Sequence, residues 1–169
     1  MAVGTTLLIN NASAAIFADA FSANRSKVAL EMNTNYLGLF DMINAFAPVI
    51  ERSGGGAIVN ILSLLALSST PPMAGYSASK AAAHSLTQAI RPGLAKRGIA
   101  VQGVYPGGID TDMLAGIDFP KTAPAIVAKG ILDGVSAGVE DIFPDPTSEQ
   151  MSELWARDPK AFELAFRGE

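Results

Sequence analysis

The chain has no cysteine, which excludes disulfides and thiolate metal centres. Its single histidine, His84, cannot build a histidine-rich metal site, so no metal is expected. Bases are outnumbered, 12 Lys and Arg against 16 Asp and Glu, and no basic stripe appears. Nucleic acid is therefore not an expected partner. Charged residues make up only 17% of the chain and hydrophobic residues 49%, a balance that argues for a globular protein and against disorder. No apolar run approaches the roughly 20 residues of a membrane span. The stretch Thr6-Leu7-Leu8-Ile9 is too short for a signal h-region, and no Lys or Arg precedes it. It reads as a buried strand, and the composition as a whole suits a cytoplasmic protein.

The 169 residues fit one domain, with no internal repeat and no linker. Short β-like runs alternate with longer helical stretches, the pattern of a parallel α/β sheet. Leu7 to Ile9 is the first run, closed by Asn10-Asn11. Val28, Met32, Tyr36, Leu39, Ile43, Phe46 and Ile50 then form one helical stripe, which Pro48 is expected to kink or end and Gly54-Gly55-Gly56 to stop. Residues 57–62 read as a second strand, and about 75–97 as a helix with Gly98 as its C-cap. Pro92-Gly93 sits awkwardly inside that helix. Residues 99–105 read as a third strand, 122–138 as a helix, 142–143 as a short last strand, and 148–166 as a terminal helix bent near Pro159.

The sharpest chemical signal is Tyr76-Ser77-Ala78-Ser79-Lys80. Tyr and Lys four apart on a helix share one face. A phenol with a pKa near ~10 is barely ionised at neutral pH, and a neighbouring ammonium favours the phenolate. The pair can then exchange a proton with an alcohol oxygen. Taken alone the spacing is common, and an ordinary exposed pair would explain it. Its surroundings are less ordinary. Ser63 follows the second strand, where strand ends open onto a ligand crevice in open α/β sheets. Asn35 lies mid-helix, a poor place for a buried amide without a role. Asn10-Asn11-Ala12 closes the first strand and Pro106-Gly107-Gly108-Ile109-Asp110-Thr111 the third.

In this order and spacing, Asn-Asn-Ala, Asn-x-x-Gly, Ser, Tyr-x-x-x-Lys and Pro-Gly-x-Ile-x-Thr resemble the short-chain dehydrogenase/reductase family over essentially the whole chain. The resemblance implies a Rossmann-like doubly wound parallel α/β sheet and an NAD- or NADP-dependent oxidoreductase that interconverts a small alcohol and a carbonyl by hydride transfer. It places a catalytic tetrad on Asn35, Ser63, Tyr76 and Lys80. Tyr76 would be the general acid/base, and Ser63 would orient the reacting oxygen. Lys80 would lower the Tyr76 pKa and bind the nicotinamide ribose, and Asn35 would hold a relay water. Asn11 and Ala12 would steady the sheet beside the cofactor. Pro106 and Gly107 would let the chain pass close to the nicotinamide ring, and Ile109 and Thr111 would meet the carboxamide. The family also packs as homodimers or homotetramers through the helices around Asn35 and Tyr76.

The sequence departs from the family pattern in one large respect. The Gly-x-x-x-Gly-x-Gly turn that follows a strand and cradles pyrophosphate is not found, and Gly54-Gly55-Gly56 precedes a strand instead. The expectation is an N-terminally truncated member, residues 1–169 forming a partial Rossmann domain that lacks the first three strands and the Gly-rich cofactor loop. Its first strand would then be a sheet edge. Ser13 also stands where the family motif usually has Gly. The competing reading is a non-catalytic fragment or assembly module that has lost cofactor binding. A serine-hydrolase reading of Gly75-Tyr76-Ser77-Ala78-Ser79 fails because the final Gly is Ser79 and Pro71-Pro72 stands where a strand is needed. His84 reads as a surface or packing residue.

Overall fold

The apolar runs and helical stripes assemble, in a computed structural model that describes residues 4–167, into one parallel four-stranded sheet with helices on both faces. The strands are β1 (Leu7–Asn10), β2 (Gly56–Ile61), β3 (Ile99–Val104) and β4 (Asp141–Ile142), adjacent in that order. Between them run α1 (Arg25–Met32), a π-helical turn (Asn33–Leu37) and α2 (Gly38–Arg52), then α3 (Ala74–Ala95), then α4 (Pro124–Ser136). The chain closes with α5 (Pro146–Arg157) and α6 (Pro159–Ala165). This is the doubly wound α/β class the sequence implies. No helix among the described residues is long and apolar enough to cross a membrane.

Alternation along the strands splits the core in two. Ile58, Leu62, Ile99, Val101 and Tyr105 face α2, α3 and the terminal helices, joined by Ile43, Ile50, Leu94 and Phe162. Val59, Val104 and Ile142 face the other way and meet Ile131 and Val135 of α4.

The residues from Arg25 to Arg52 make one helical run with a π-helical turn inside it, and Asn35 lies in that turn. Glu31, Asn35, Leu39, Ile43 and Ala47 are all buried at a strict spacing of four. Four residues overshoot a turn of about 3.6, so such a line drifts around an α-helix, and a wider turn takes up the excess. Pro48 does not end this helix, contrary to expectation. It lies inside α2, which continues to Arg52, because one missing N–H removes only one rung. Pro92 is likewise carried inside α3.

The expected buried strand at residues 7–9 is only partly so. Leu8 is buried, whereas Leu7 and Ile9 are 42% and 43% exposed. Among the described residues β1 pairs with β2 alone, and α4 covers the opposite face only over β2 to β4. Gly54 and Gly55 precede β2 and Gly56 opens it. A Cβ on Gly56 would stand 1.9 Å from the Thr6 carbonyl oxygen, whereas one on Gly54 would meet nothing within 4 Å. Both have positive φ. Gly54→Ala should therefore cost only the backbone strain, about 1–2 kcal/mol, and Gly56→Ala, adding the clash, about 3–5 kcal/mol. Urea denaturation of the two variants checks the ranking.

Candidate functional site

Parallel strands end on one side of the sheet, so the segments after β1, β2 and β3 converge there. Side chains pin two of the strand ends together: Asn10 Nδ2 donates to Asn60 Oδ1 at 2.8 Å, and Asn60 Nδ2 to Thr87 Oγ1 of α3 at 3.0 Å. Asn11 and Ala12, expected to steady the sheet, are exposed, and Asn10 does that work instead.

Asn35 is 2% exposed and its carboxamide is saturated. Oδ1 accepts from the Ala14 N–H at 2.8 Å and from Ser13 Oγ at 3.1 Å. Nδ2 donates to the Ala14 carbonyl and to Ser79 Oγ, each at 2.8 Å. Ala14 offers one donor and one acceptor, which fixes the orientation of the amide. The side chain therefore clamps the segment after β1 against α3, with every donor and acceptor of the carboxamide engaged.

Tyr76 opens α3 and is 8% exposed. Burial pushes its phenol above the ordinary value; hydrogen bonds with Ser63 and Ser13 pull it down, and the Glu31 carboxylate pushes it further up. Lys80, one turn on, has its ammonium 5.6 Å from the Tyr76 ring centroid. It is 3% exposed. Its Nζ donates to the Ile61 carbonyl at 2.8 Å, and no carboxylate pairs with it among the described residues. Burial lowers its pKa to about 8. Ser63 Oγ accepts from the Leu65 N–H at 3.1 Å, capping a short 3-10 turn and leaving its own proton available.

Glu31 is the residue that apolar periodicity could not reveal, because it shares the inward line of the helix with hydrophobic side chains. It is 2% exposed, accepts the Ile16 N–H at 2.7 Å, and places Oε2 2.3 Å from where a Cβ on Gly75 would stand. It holds the same segment as Asn35, one helical turn away, beside the start of α3. Burial raises its pKa, and the Ile16 N–H lowers it. A second carboxylate, the buried Asp145, caps α5 through the Ser148 N–H at 3.0 Å and accepts the Gly107 N–H at 3.0 Å with its other oxygen. It fixes the loop after β3, where Pro106 is buried, Gly107 and Ile109 are half-buried and Thr111 is exposed. The Asp145–Pro146 start of a helix was not foreseen; its capping box was the available signal. His84 lies apart from these groups, with Nδ1 2.8 Å from the Tyr105 hydroxyl, as a packing residue.

The structure thus joins Asn35 to Ser13 and Ser79, and Ser79 to the Tyr76 carbonyl, and sets the Lys80 ammonium beside the Tyr76 ring, whereas Ser63 and Glu31 bond to the backbone N–H groups of Leu65 and Ile16. A profile of the short chain dehydrogenase family matches residues 4–120. An uncharacterized oxidoreductase of Staphylococcus epidermidis is 29% identical over 129 residues, 76% of this chain and 56% of that protein. The chain thus spans about half the length of such relatives. The crystal structure of a short chain dehydrogenase from Burkholderia cenocepacia in complex with NADP superposes with a TM-score of 0.89 at 34% identity, covering 95% of this chain and 70% of that one. A short-chain dehydrogenase from Sphingobium yanoikuyae in complex with NADPH gives 0.77 at 28% identity, covering 90% and 63%.

Two outcomes test the site's electrostatics. Below pH 8 both folded and unfolded chains hold the Lys80 proton, and the folded state carries the cost of the buried charge. Between pH 8 and about 10.5 only the unfolded chain still holds it, so stability should rise with pH across that window. The rise, about 3 kcal/mol, should vanish in Lys80→Met, as followed by denaturation at stepped pH. Glu31→Ala leaves the Ile16 N–H without its acceptor and should cost about 1–3 kcal/mol. Glu31→Gln keeps an acceptor and should cost less. It should also lower the Tyr76 pKa by removing the nearby charge, read by tyrosinate absorbance.

Proposed function

The chain belongs to the short-chain dehydrogenase/reductase family, and on that premise we propose that it is an NAD(P)-dependent oxidoreductase that interconverts an alcohol and a carbonyl, with Tyr76 as general acid/base. The observation that carries the reading is the buried Tyr76 at the start of α3 with the buried Lys80 ammonium one turn away, 5.6 Å from the ring centroid, beside the end of β2.

The residues present fit the nicotinamide-riboside half of a dinucleotide. Lys80 spends one of its three donors on Ile61, which leaves two for ribose hydroxyls. Gly107 passes so close to Asp145 and Thr147 that a Cβ there would stand 3.1 Å from Asp145 Oδ1, so this backbone is held in place beside the crevice. Ile109 and Thr111 follow it. Among the described residues no Gly-x-x-x-Gly-x-Gly turn follows a strand, and Gly54-Gly55-Gly56 lies at the opposite end of the sheet. Nothing described here fits the pyrophosphate and adenosine half.

The dinucleotide, when bound, supplies or accepts the hydride. The chain's own residues handle the proton. In reduction, Ser63 donates its free proton to the substrate oxygen and holds it beside Tyr76, and Tyr76 transfers its proton to that oxygen as negative charge grows there. Lys80 stabilises the phenolate that remains. Met113, Ile117 and Phe119, all exposed in the loop after Thr111, form an apolar lip for the substrate. This reading also expects assembly through α2 and α3.

A second reading, a binding or assembly module without turnover, is favoured by the missing pyrophosphate turn. Titrating the full chain with NADH and NADPH separates the two. Oxidoreductase function predicts saturable binding that Lys80→Ala weakens, and turnover that Tyr76→Phe cuts by about 100-fold or more with binding retained. A folded chain that binds neither nucleotide at millimolar concentration would establish the second reading.

A further inference from the structure

The peptide group that joins Pro106 to Gly107 is held at both of its polar ends. Its carbonyl accepts the Leu64 N–H at 3.1 Å, from the short turn that Ser63 caps after β2. Its N–H donates at 3.0 Å to Oδ2 of Asp145, just beyond β4. A peptide plane tied at both ends cannot turn without leaving a donor and an acceptor unpaired. Asp145 is 2% exposed, and its two oxygens serve different segments, since Oδ1 accepts the Ser148 N–H at 3.0 Å and caps α5. Capping needs only one oxygen. The other is spent on a loop 38 residues away. Thr147 of the same helix closes the approach, because a Cβ on Gly107 would stand 3.3 Å from the Thr147 Cβ.

The residues that follow inherit this fixed start. The Thr122 N–H donates to the Gly108 carbonyl at 2.8 Å and the Asp110 N–H to the Thr122 carbonyl at 3.0 Å, which bridges Ile109 to Thr122. In such a bridge the neighbours of Ile109 make the bonds, and its own N–H points to the other side of the chain. Among the described residues that N–H has no hydrogen-bond partner. An unpaired donor thus stands two residues beyond the locked peptide. Resting on the oxidoreductase reading above, in which this loop meets the nicotinamide, we propose that Asp145 is a positioning residue for nucleotide binding. Its Oδ2 locks the Pro106–Gly107 peptide and so sets the place and direction of the Ile109 donor before the nucleotide arrives. A donor fixed in advance needs no ordering when the ligand docks, and the saving is read as affinity. Asp145 acts through the backbone alone.

The test compares Asp145→Ser with Ser148→Ala in the full chain, each titrated with NADH and NADPH by cofactor fluorescence and melted by circular dichroism. Serine is as good a helix cap as aspartate but has one oxygen, so α5 keeps its cap while Gly107 loses its acceptor. Ser148→Ala weakens the capping box and leaves the Gly107 bond alone. Asp145→Ser should raise both Kd values about tenfold, the worth of one hydrogen bond to a charged group, with Tm and kcat nearly held. It should also speed exchange of the Gly107 amide proton, read by NMR. Ser148→Ala should lower Tm and leave both Kd values in place. Asp145→Asn, again with one oxygen for two N–H groups, serves where the serine chain does not fold. An unchanged Kd in the folded Asp145 variant, or Kd values that follow Tm across the variants, would overturn the proposal, since a cap alone behaves that way. A parent chain that binds neither nucleotide would overturn the oxidoreductase reading and the positioning role together. Parent binding that the Asp145 variant leaves untouched would overturn the positioning role only, so the two failures are distinguishable.

Discussion

The carboxamide of Asn35 makes four hydrogen bonds inside the protein, two to the backbone of Ala14, one to Ser13 and one to Ser79. The segment after β1 forms no helix or strand before α1, and Asn35 holds it at Ala14 as Glu31 does at Ile16. Asn35 supplies both a donor and an acceptor from one rigid plane, and Ser79, which it also holds, donates back to the Tyr76 carbonyl at 2.7 Å. The segment and the start of α3 are thereby joined through one buried amide. Truncating such a group strands several polar atoms at once, so its worth exceeds that of any single bond. The π-helical turn is what lets Asn35 face inward in line with Leu39 and Ile43.

Burial gives the site its chemical polarity. Two opposite charges lie buried on either side of Tyr76, and they do not pair with each other. Glu31 satisfies itself on a backbone N–H and Lys80 on a backbone carbonyl. Both remain as uncompensated fields close to the phenol, one raising and one lowering the energy of its ionised form. Desolvation tips the balance towards the neutral phenol.

The sheet and its helices were legible in the sequence, because period-two and period-3.6 patterns report which face is buried and little else. The family was legible too, through the spacing and order of its motifs. What escaped were the residues whose job is to hold others. Glu31 hides within a hydrophobic line, Asn10 looked secondary to Asn11, and Asp145 acts across the sheet on Gly107, 38 residues away. Their roles come from contacts between distant segments, to which periodicity is blind. Asn35 was picked out as an amide with a purpose, but its partners Ala14, Ser13 and Ser79 could not be read, because they become neighbours only in three dimensions. Proline rules also overreached at Pro48, since a missing rung weakens a helix without cutting it when tertiary packing continues on both sides.

β1 is an edge among the described residues, and an edge strand is ordinarily the least constrained part of a sheet. Here its C-terminal end is the most constrained part. Parallel pairing to β2 sets the register from Leu7↔Ala57 to Asn10↔Asn60, and the Asn10–Asn60 amide contact locks the last pair. Thr87 extends the lock into α3, a helix that also carries Tyr76 and Lys80. The segment that follows is then taken over by Asn35 and Glu31. None of these restraints draws on a further strand beside β1. The crevice around Tyr76 is thus built from the segments after β1, β2 and β3 and the helices between them.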